Sequence, residues 1–83
     1  MTLNQAFDAA SKYMKSVGKD YVYFLGGNEY EAAYGLSFWK EKPKPFFTGG
    51  LHLLVDKNTG KVEQYNWIDY MAEHKPIRAI TRE

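Results

Sequence analysis

The sequence contains no cysteine, and this absence constrains the fold more than any other single feature. A chain of 83 residues buries only about 60% of the surface of its unfolded state, so small domains often need disulfides or a structural metal. Disulfides and thiolate zinc sites are excluded here, and two histidines are too few for zinc unless carboxylates complete the site. We therefore expect one domain over residues 1–83, held by packing alone, with no metal and no cofactor.

The charge balance limits the classes of partner. Eleven basic and ten acidic residues give a net charge of +1, whereas nucleic-acid binders normally carry a strongly basic surface. Lys40, Lys42 and Lys44 lie near aromatic residues, but Glu41 lies among them, so nucleic-acid binding is not expected. No apolar run approaches the roughly 20 residues of a membrane-spanning helix, and the first residues lack a signal-peptide pattern. We expect a cytoplasmic protein without a membrane partner.

The first segment predicts an amphipathic helix over residues 3–17. Its apolar residues recur at spacings of three and four, and polar residues occupy the other face. Thr2 and Gln5 match a capping box, and Gly18 is a typical stop signal. The apolar face consists of Leu3, Ala6, Phe7, Ala10, Met14 and Val17.

Four strands are predicted after this helix. The first covers residues 21–25 and ends at Gly26-Gly27-Asn28, which we interpret as part of the turn into a second strand over residues 33–40. A loop over residues 41–50, rich in proline and glycine, leads to a hairpin of strands 51–56 and 61–65. The turn of that hairpin is Asp56-Lys57-Asn58-Thr59-Gly60.

A second, shorter helix is predicted over residues 67–73. Asn66 is a suitable N-cap, and Pro76 ends the helix before a tail that is at most a short extended piece. The order of one helix, four strands and one helix predicts an α+β fold. We expect a four-stranded antiparallel sheet with both helices on one face.

The sequence offers no arrangement of catalytic residues. His52 and Asp56 share a strand face but lie roughly 13 Å apart by strand rise. Ser11, Ser16 and Ser37 have no surrounding motif that would activate a nucleophile. The paired glycines lack the lysine and the following helix of a phosphate-binding loop. We therefore expect that the protein is not an enzyme.

The aromatic residues are more numerous than one covered sheet face can plainly bury. There are five Phe, seven Tyr and two Trp. Surfaces rich in such residues are typical of protein–protein interfaces. Phe46 and Phe47 either contact a partner or fold back onto the core. Two alternative sets could face the helices, namely Tyr21, Tyr23, Tyr34 and Phe38, or Phe24 and Trp39.

We predict a protein-binding surface on the 41–50 loop and the exposed sheet face. Aromatic anchors at its centre and acidic residues at its rim would suit a basic partner. The predicted contact residues are Trp39, Phe46, Phe47, Tyr30, Glu29, Glu31 and Glu41.

Three segments of the chain together follow the pattern of a known family. They are Ala6-x-x-x-Ala10-x-x-Tyr13, Gly35-Leu36-Ser37-Phe38-Trp39, and Leu54-Val55-Asp56-Lys57-Asn58-Thr59-Gly60-Lys61-Val62. Over residues 3–70 the chain resembles the YrhB-like immunity proteins, the immunity protein 35 family of bacterial polymorphic-toxin systems. The resemblance implies a small cytoplasmic protein that protects a cell by binding a cognate toxin. We expect it to act by steric masking of the active surface of that toxin.

The Val-Asp-Lys-x-Thr-Gly pattern has a second reading, because it also occurs in PepSY-type domains. The alternative function is therefore a regulatory or structural accessory module, or a homodimer built by pairing of sheet edges.

Overall fold

A computed structural model describes residues 1–45, 47 and 49–81 and has an α+β fold, as predicted. The described strands form one antiparallel sheet in the order β4-β3-β2-β1-β5. In chain order the elements are α1 (Leu3–Ser16), β1 (Tyr23–Glu29), β2 (Ala33–Trp39), β3 (Leu51–Asp56), β4 (Val62–Gln64), α2 (Trp67–Glu73) and β5 (Arg78–Ile80).

Helix α1 forms where the apolar periodicity predicts it. The Thr2 hydroxyl accepts a hydrogen bond from the Gln5 backbone N–H at 3.2 Å, and the Gln5 side chain accepts one from the Thr2 N–H at 2.8 Å, which confirms the capping box. Ala6, Ala10 and Met14 are buried. The small alanines allow α1 to approach β2, β3 and β4 closely.

The hydrophobic core lies between α1 and one face of the sheet. Leu36 of β2 and Leu53 of β3 are cross-strand partners, and both are fully buried. The Phe7 ring packs edge-on against Phe24, with centroids 4.9 Å apart. The core cluster consists of Ala6, Ala10, Met14, Tyr34, Leu36, Phe38, Leu51, Leu53, Val55 and Ile80.

Neither of the two predicted aromatic sets faces α1 as a unit. Phe24 of β1 pairs with Phe38 of β2, so these two rings lie on the same face and both contact Phe7. Tyr23 pairs with Trp39 and belongs to the opposite face. The core therefore combines members of both sets.

Strand β1 continues through Gly26 and Gly27, so the prediction that these glycines begin the hairpin turn is wrong. Gly27 pairs with Leu36, and a bulge near Leu25 shifts the register. A Cβ atom on Gly27 would overlap the carbonyl oxygen of Gly35 on β2. Glycine is required here because the two backbones approach each other closely, and not because the chain turns.

Strand β5 makes the sheet five-stranded, which corrects the predicted count of four. Its residues Arg78 and Ile80 pair with Glu29 and Gly27 of β1. The Ile80 side chain is buried in the core, and this burial favours an ordered strand in the short tail.

Helix α2 lies on the sheet face opposite α1, so the prediction that both helices share one face is wrong. His52 alternates with the core residues Leu51 and Leu53, and its ring lies 6.1 Å from that of Trp67 in α2. Because α1 already covers one face, the aromatic side chains of α2 find partners on the other. None of the helices within residues 1–45, 47 and 49–81 is long and apolar enough to cross a membrane.

Candidate partner-binding cleft

A cleft of about 640 Å³ lies on the sheet face opposite α1. This volume is within the range of about 300–1,000 Å³ that is typical of ligand sites. Its floor is formed by Gly26, Gly27, Asn28, Ser37 and His52. Its walls are formed by Pro43, Phe47, Tyr65, Trp67 and Ile68.

The floor is low because two consecutive residues of β1 carry no side chain. Gly26 and Gly27 leave the strand backbone itself at the base of the cleft. The bulge near Leu25 lies beside them and changes the register of β1 against β2. Bulges of this kind are frequent next to functional sites, because they redirect the neighbouring side chains.

A serine and a histidine from adjacent strands form the polar centre of the floor. Ser37 of β2 pairs with His52 of β3, and the Ser37 Oγ atom lies 2.6 Å from His52 Nδ1. Burial lowers the pKa of His52 below its ordinary value of 6.5. The imidazole is therefore neutral at pH 7 and offers one donor and one acceptor.

This pair is suited to hydrogen bonding with a bound group. A serine nucleophile needs a base that a third group orients, usually a carboxylate. The nearest candidate from the sequence, Asp56, instead accepts hydrogen bonds from the backbone N–H groups of Asn58 and Thr59 at 2.8 and 2.9 Å. These bonds lower the pKa of Asp56 and hold it in the β3–β4 turn.

The walls are apolar, and part of their surface faces solvent. Trp67 and Ile68 at the start of α2 are 40% and 62% exposed. Asn66 caps α2 by accepting hydrogen bonds from the backbone N–H groups of Ile68 and Asp69, which fixes these two side chains at the rim. Large exposed apolar side chains beside a cleft are typical of contact surfaces.

The opposite wall is built by Pro43 and Phe47, two described residues of the 41–50 loop. The Phe47 ring packs against Trp39 with centroids 5.0 Å apart, and Trp39 in turn packs against Tyr21 at 5.4 Å. Lys40 lies over the Trp39 ring, with its Nζ atom 5.7 Å from the centroid. These contacts connect the loop to the sheet and position Phe47 at the cleft.

The lining of the cleft is uncharged over the described part of the chain. Its residues include no aspartate, glutamate, lysine or arginine. The only titratable groups with shifted pKa values in the lining are His52, which burial keeps neutral, and Tyr65, whose pKa burial raises. The cleft therefore presents hydrogen-bonding groups and rings, without net charge.

A cluster of tyrosines supports α2 behind the cleft. The Tyr70 ring packs edge-on against Tyr30 at 4.7 Å and Tyr65 at 5.5 Å, and His74 stacks on Tyr70 at 4.0 Å. Tyr30 is 1% exposed. Its hydroxyl makes no hydrogen bond of good geometry within the described residues, although the Asn28 and Tyr65 side chains lie close to it.

Three of the residues predicted from sequence to contact a partner lie in or near the 41–50 loop. Phe47 lines the cleft, Trp39 packs directly against it, and Glu41 is exposed. Phe46 lies outside the described residues.

The other three predicted residues lie at the β1–β2 hairpin, and two of them do not match the prediction. Glu29 is paired with Lys57 at 2.7 Å and Arg78 at 2.6 Å, which lowers its pKa and compensates its charge. It is therefore not a free rim charge. Tyr30 is buried under α2 and is not an exposed anchor. Glu31 is exposed in the turn.

The Ser37–His52 pair and the α2 rim were not among the predicted contact residues. Ser37 and His52 are separated by a long loop, so their contact depends on the strand register and leaves no local signal. Within residues 1–45, 47 and 49–81, no three His, Asp or Glu side chains gather in a way that could hold a metal ion.

Comparisons with protein-family models, with curated proteins and with solved structures give no match. The resemblance to immunity proteins stays a prediction.

Proposed function

We propose that the chain is a non-enzymatic binding protein that masks a surface of another protein through the cleft and its α2 rim. The observation that carries the proposal is the position of Trp67 and Ile68, exposed side by side at the mouth of an uncharged cleft. Exposed tryptophan beside a pocket is a common centre of protein–protein binding energy. The apolar rim supports a macromolecular partner, because it offers contact area outside the cleft itself.

The mechanism is steric occlusion by a preformed surface. The strands that form the floor are packed on their other face against α1, and the rim is held by the Asn66 cap and the tyrosine cluster. A surface that is already ordered loses little conformational entropy on binding. Glu41 is exposed on the loop that forms one wall. Lys40, Lys42 and Lys44 are exposed around it, so the loop by itself does not favour a basic partner.

The biological setting that we propose is the one that the family resemblance implies. The partner is a bacterial toxin, and the chain acts in the cytoplasm by covering the active surface of that toxin. The shape and the uncharged centre of the cleft are compatible with this role, and the identity of the partner is open to direct test.

The test is co-expression with the product of the neighbouring gene, followed by co-purification. Ile68→Glu places a charge at the cleft rim, and Val22→Glu is the matched control because Val22 is 79% exposed and does not line the cleft. We expect the wild type and Val22→Glu to retain the partner and Ile68→Glu to lose it. Equal retention by both variants would refute the cleft as the contact surface, and no complex with the wild type would refute the choice of partner.

Homodimerisation through a sheet edge is a second candidate, favoured by one observation. Within the described residues, β5 pairs with β1 only at Gly27, Asn28 and Glu29, so β1 is not fully covered at that edge. Val22 and Ile77 are exposed apolar residues near this region of the chain. Size-exclusion chromatography at two protein concentrations tests this candidate. A dimer that Val22→Glu disrupts and Ile68→Glu leaves intact would support it over the cleft.

A further inference from the structure

We infer that the cleft receives one uncharged aromatic side chain of the partner that carries a hydrogen-bonding group, which is the chemistry of tyrosine or tryptophan. This inference rests on the proposed function, because it specifies which part of a partner protein enters the cleft. Three properties of the lining support it, namely its rings, its polar floor and its lack of charge.

The walls are suited to a flat ring. Phe47 lies on one side of the cleft, and Tyr65 and Trp67 lie on the other. Aromatic rings favour tilted and edge-on contacts with one another, as Phe47 already makes with Trp39. The glycine floor provides depth, because Gly26 and Gly27 contribute only backbone atoms to the base of the cleft. The volume of about 640 Å³ accommodates a large ring together with the adjoining partner backbone.

The floor requires that the ring carry a polar group. Ser37 and His52 satisfy each other with one hydrogen bond, and each has a further donor or acceptor that water can reach in the open cleft. Asn28 adds an amide to the same floor. A purely apolar occupant would remove this water without replacing its hydrogen bonds, which is unfavourable. A phenol hydroxyl or an indole N–H can replace them.

The lack of charge excludes the long charged side chains. The described lining has no acidic or basic residue that could pair with a buried ammonium, guanidinium or carboxylate. His52 does not supply the missing charge, since burial holds it neutral. Moving an ion out of water without a compensating partner is strongly unfavourable, so an uncharged occupant is preferred.

The rim favours a side chain of a protein over a free small molecule. Trp67 and Ile68 remain exposed at the mouth, and an occupant that fills only the cleft would leave much of this apolar surface in water. A ring that projects from a protein surface brings neighbouring residues with it. These residues cover the rim and exclude water around the anchor, as is typical of binding hot spots.

The experiment measures binding of three small probes by ¹H–¹⁵N NMR titration of the full chain. p-Cresol is the tyrosine side chain as a free molecule, toluene lacks its hydroxyl, and 4-hydroxybenzoate carries the hydroxyl together with a negative charge. We expect p-cresol to shift the amide signals of Gly26, Ser37 and Gly49 and the indole signal of Trp67. Because p-cresol can make one hydrogen bond that toluene cannot, it should bind about fivefold more tightly than toluene. It should also bind more tightly than 4-hydroxybenzoate.

Ser37→Ala tests whether the polar floor is responsible. This variant should prefer p-cresol over toluene less strongly than the wild type does, whereas Ser11→Ala should behave as the wild type. Ser11 is the matched control because it lies on α1, on the other side of the sheet. The inference is overturned if p-cresol leaves the cleft signals unchanged, if toluene or 4-hydroxybenzoate binds as tightly, or if Ser37→Ala keeps the full wild-type preference for p-cresol.

The two proposals can fail separately. If the wild type prefers p-cresol but forms no complex with a protein, the chemistry of the cleft stands and the occupant is a free phenol. If a protein partner is retained through Ile68 but the wild type does not prefer p-cresol, the contact surface stands and the aromatic anchor is refuted.

Discussion

Gly27→Ala should destabilise the fold strongly, because the space for a methyl group is taken by the backbone of the adjacent strand. The new Cβ atom would overlap the Gly35 carbonyl oxygen and lie 3.0 Å from its carbonyl carbon and 3.2 Å from Leu36 Cα. Ordinary carbon contacts are about 3.5–4.0 Å, so β1 and β2 would have to separate by on the order of 1 Å. No rotamer change can relieve this overlap, since all three atoms belong to the backbone.

The magnitude follows from two opposing effects. Overpacking typically costs about 1–3 kcal/mol, and a clash between backbones lies at the upper end of that range. Alanine also reduces the conformational entropy of the unfolded chain, and this effect offsets about 0.4–1 kcal/mol of the loss. We expect a net loss of about 2 kcal/mol or more, from a total stability of about 4–12 kcal/mol for a domain of this size. The melting temperature should fall by roughly 8 °C or more.

Urea unfolding followed by circular dichroism measures this loss, and Gly49→Ala is the control. Gly49 is exposed, and its nearest neighbours are ring atoms of Phe47, which can move. The control should stay within about 1 kcal/mol of the wild type. If Gly27→Ala is also within that limit, the close approach of β1 and β2 at the floor of the cleft is incorrect.

Three further predictions concern the core, the tyrosine cluster and His52. Leu53→Ala removes a fully buried side chain and should lower the free energy of unfolding by about 2–5 kcal/mol, measured by thermal unfolding. Ile68→Ala at the exposed rim is the control and should change it by less than about 0.5 kcal/mol. Similar losses in the two variants would contradict the assigned burial. Tyr30→Phe removes a buried hydroxyl that makes no good hydrogen bond. The free energy of unfolding should therefore be unchanged or higher by up to about 1 kcal/mol. A clear loss of stability would show that the hydroxyl does make a hydrogen bond in the folded protein. Burial holds the folded-state pKa of His52 below 6.5, so the wild type should lose stability as the pH falls from about 6.5 towards that lower pKa. The difference in stability between His52→Gln and the wild type should therefore change when the pH is lowered from about 7.5 to about 5. A constant difference would refute the lowered pKa of His52.

The parts of the fold that the sequence predicts well are those with local signals. The α1 cap depends on Thr2 and Gln5, which are three residues apart, and the β3–β4 turn depends on Asp56 and on Gly60 at φ +75°. Helix α2 begins where Asn66 caps it, and its bounds are the predicted ones. Each of these elements is specified by residues within one turn of each other.

The parts that could not be predicted depend on residues far apart in the sequence. Gly26 and Gly27 have the composition of a turn, and only the proximity of Gly35 explains why they continue a strand. Strand β5 is recognisable only once Ile80 has a core to enter. The sheet face on which α2 packs is the one that α1 leaves uncovered. No local sequence pattern determines which face that is.

The candidate site shows the same division. Trp39 and Phe47 are both predicted contact residues, and their rings pack together beside the cleft. Their role in binding stays a prediction. The Ser37–His52 hydrogen bond could not be predicted, because a shift of one residue in the β2–β3 register would place the two side chains on opposite faces.

The affinity of Trp67→Ala for the co-expressed partner tests the central claim most directly. Trp67 lies at the mouth of the cleft and is 40% exposed, and circular dichroism checks that the variant is folded before its affinity is compared. An anchor residue of an interface contributes about 2 kcal/mol or more, which corresponds to roughly 30-fold weaker binding in isothermal titration calorimetry. Val22→Ala removes an exposed apolar side chain outside the cleft lining and should change the affinity less than about twofold. If Trp67→Ala binds as tightly as Val22→Ala, the cleft is not the binding surface.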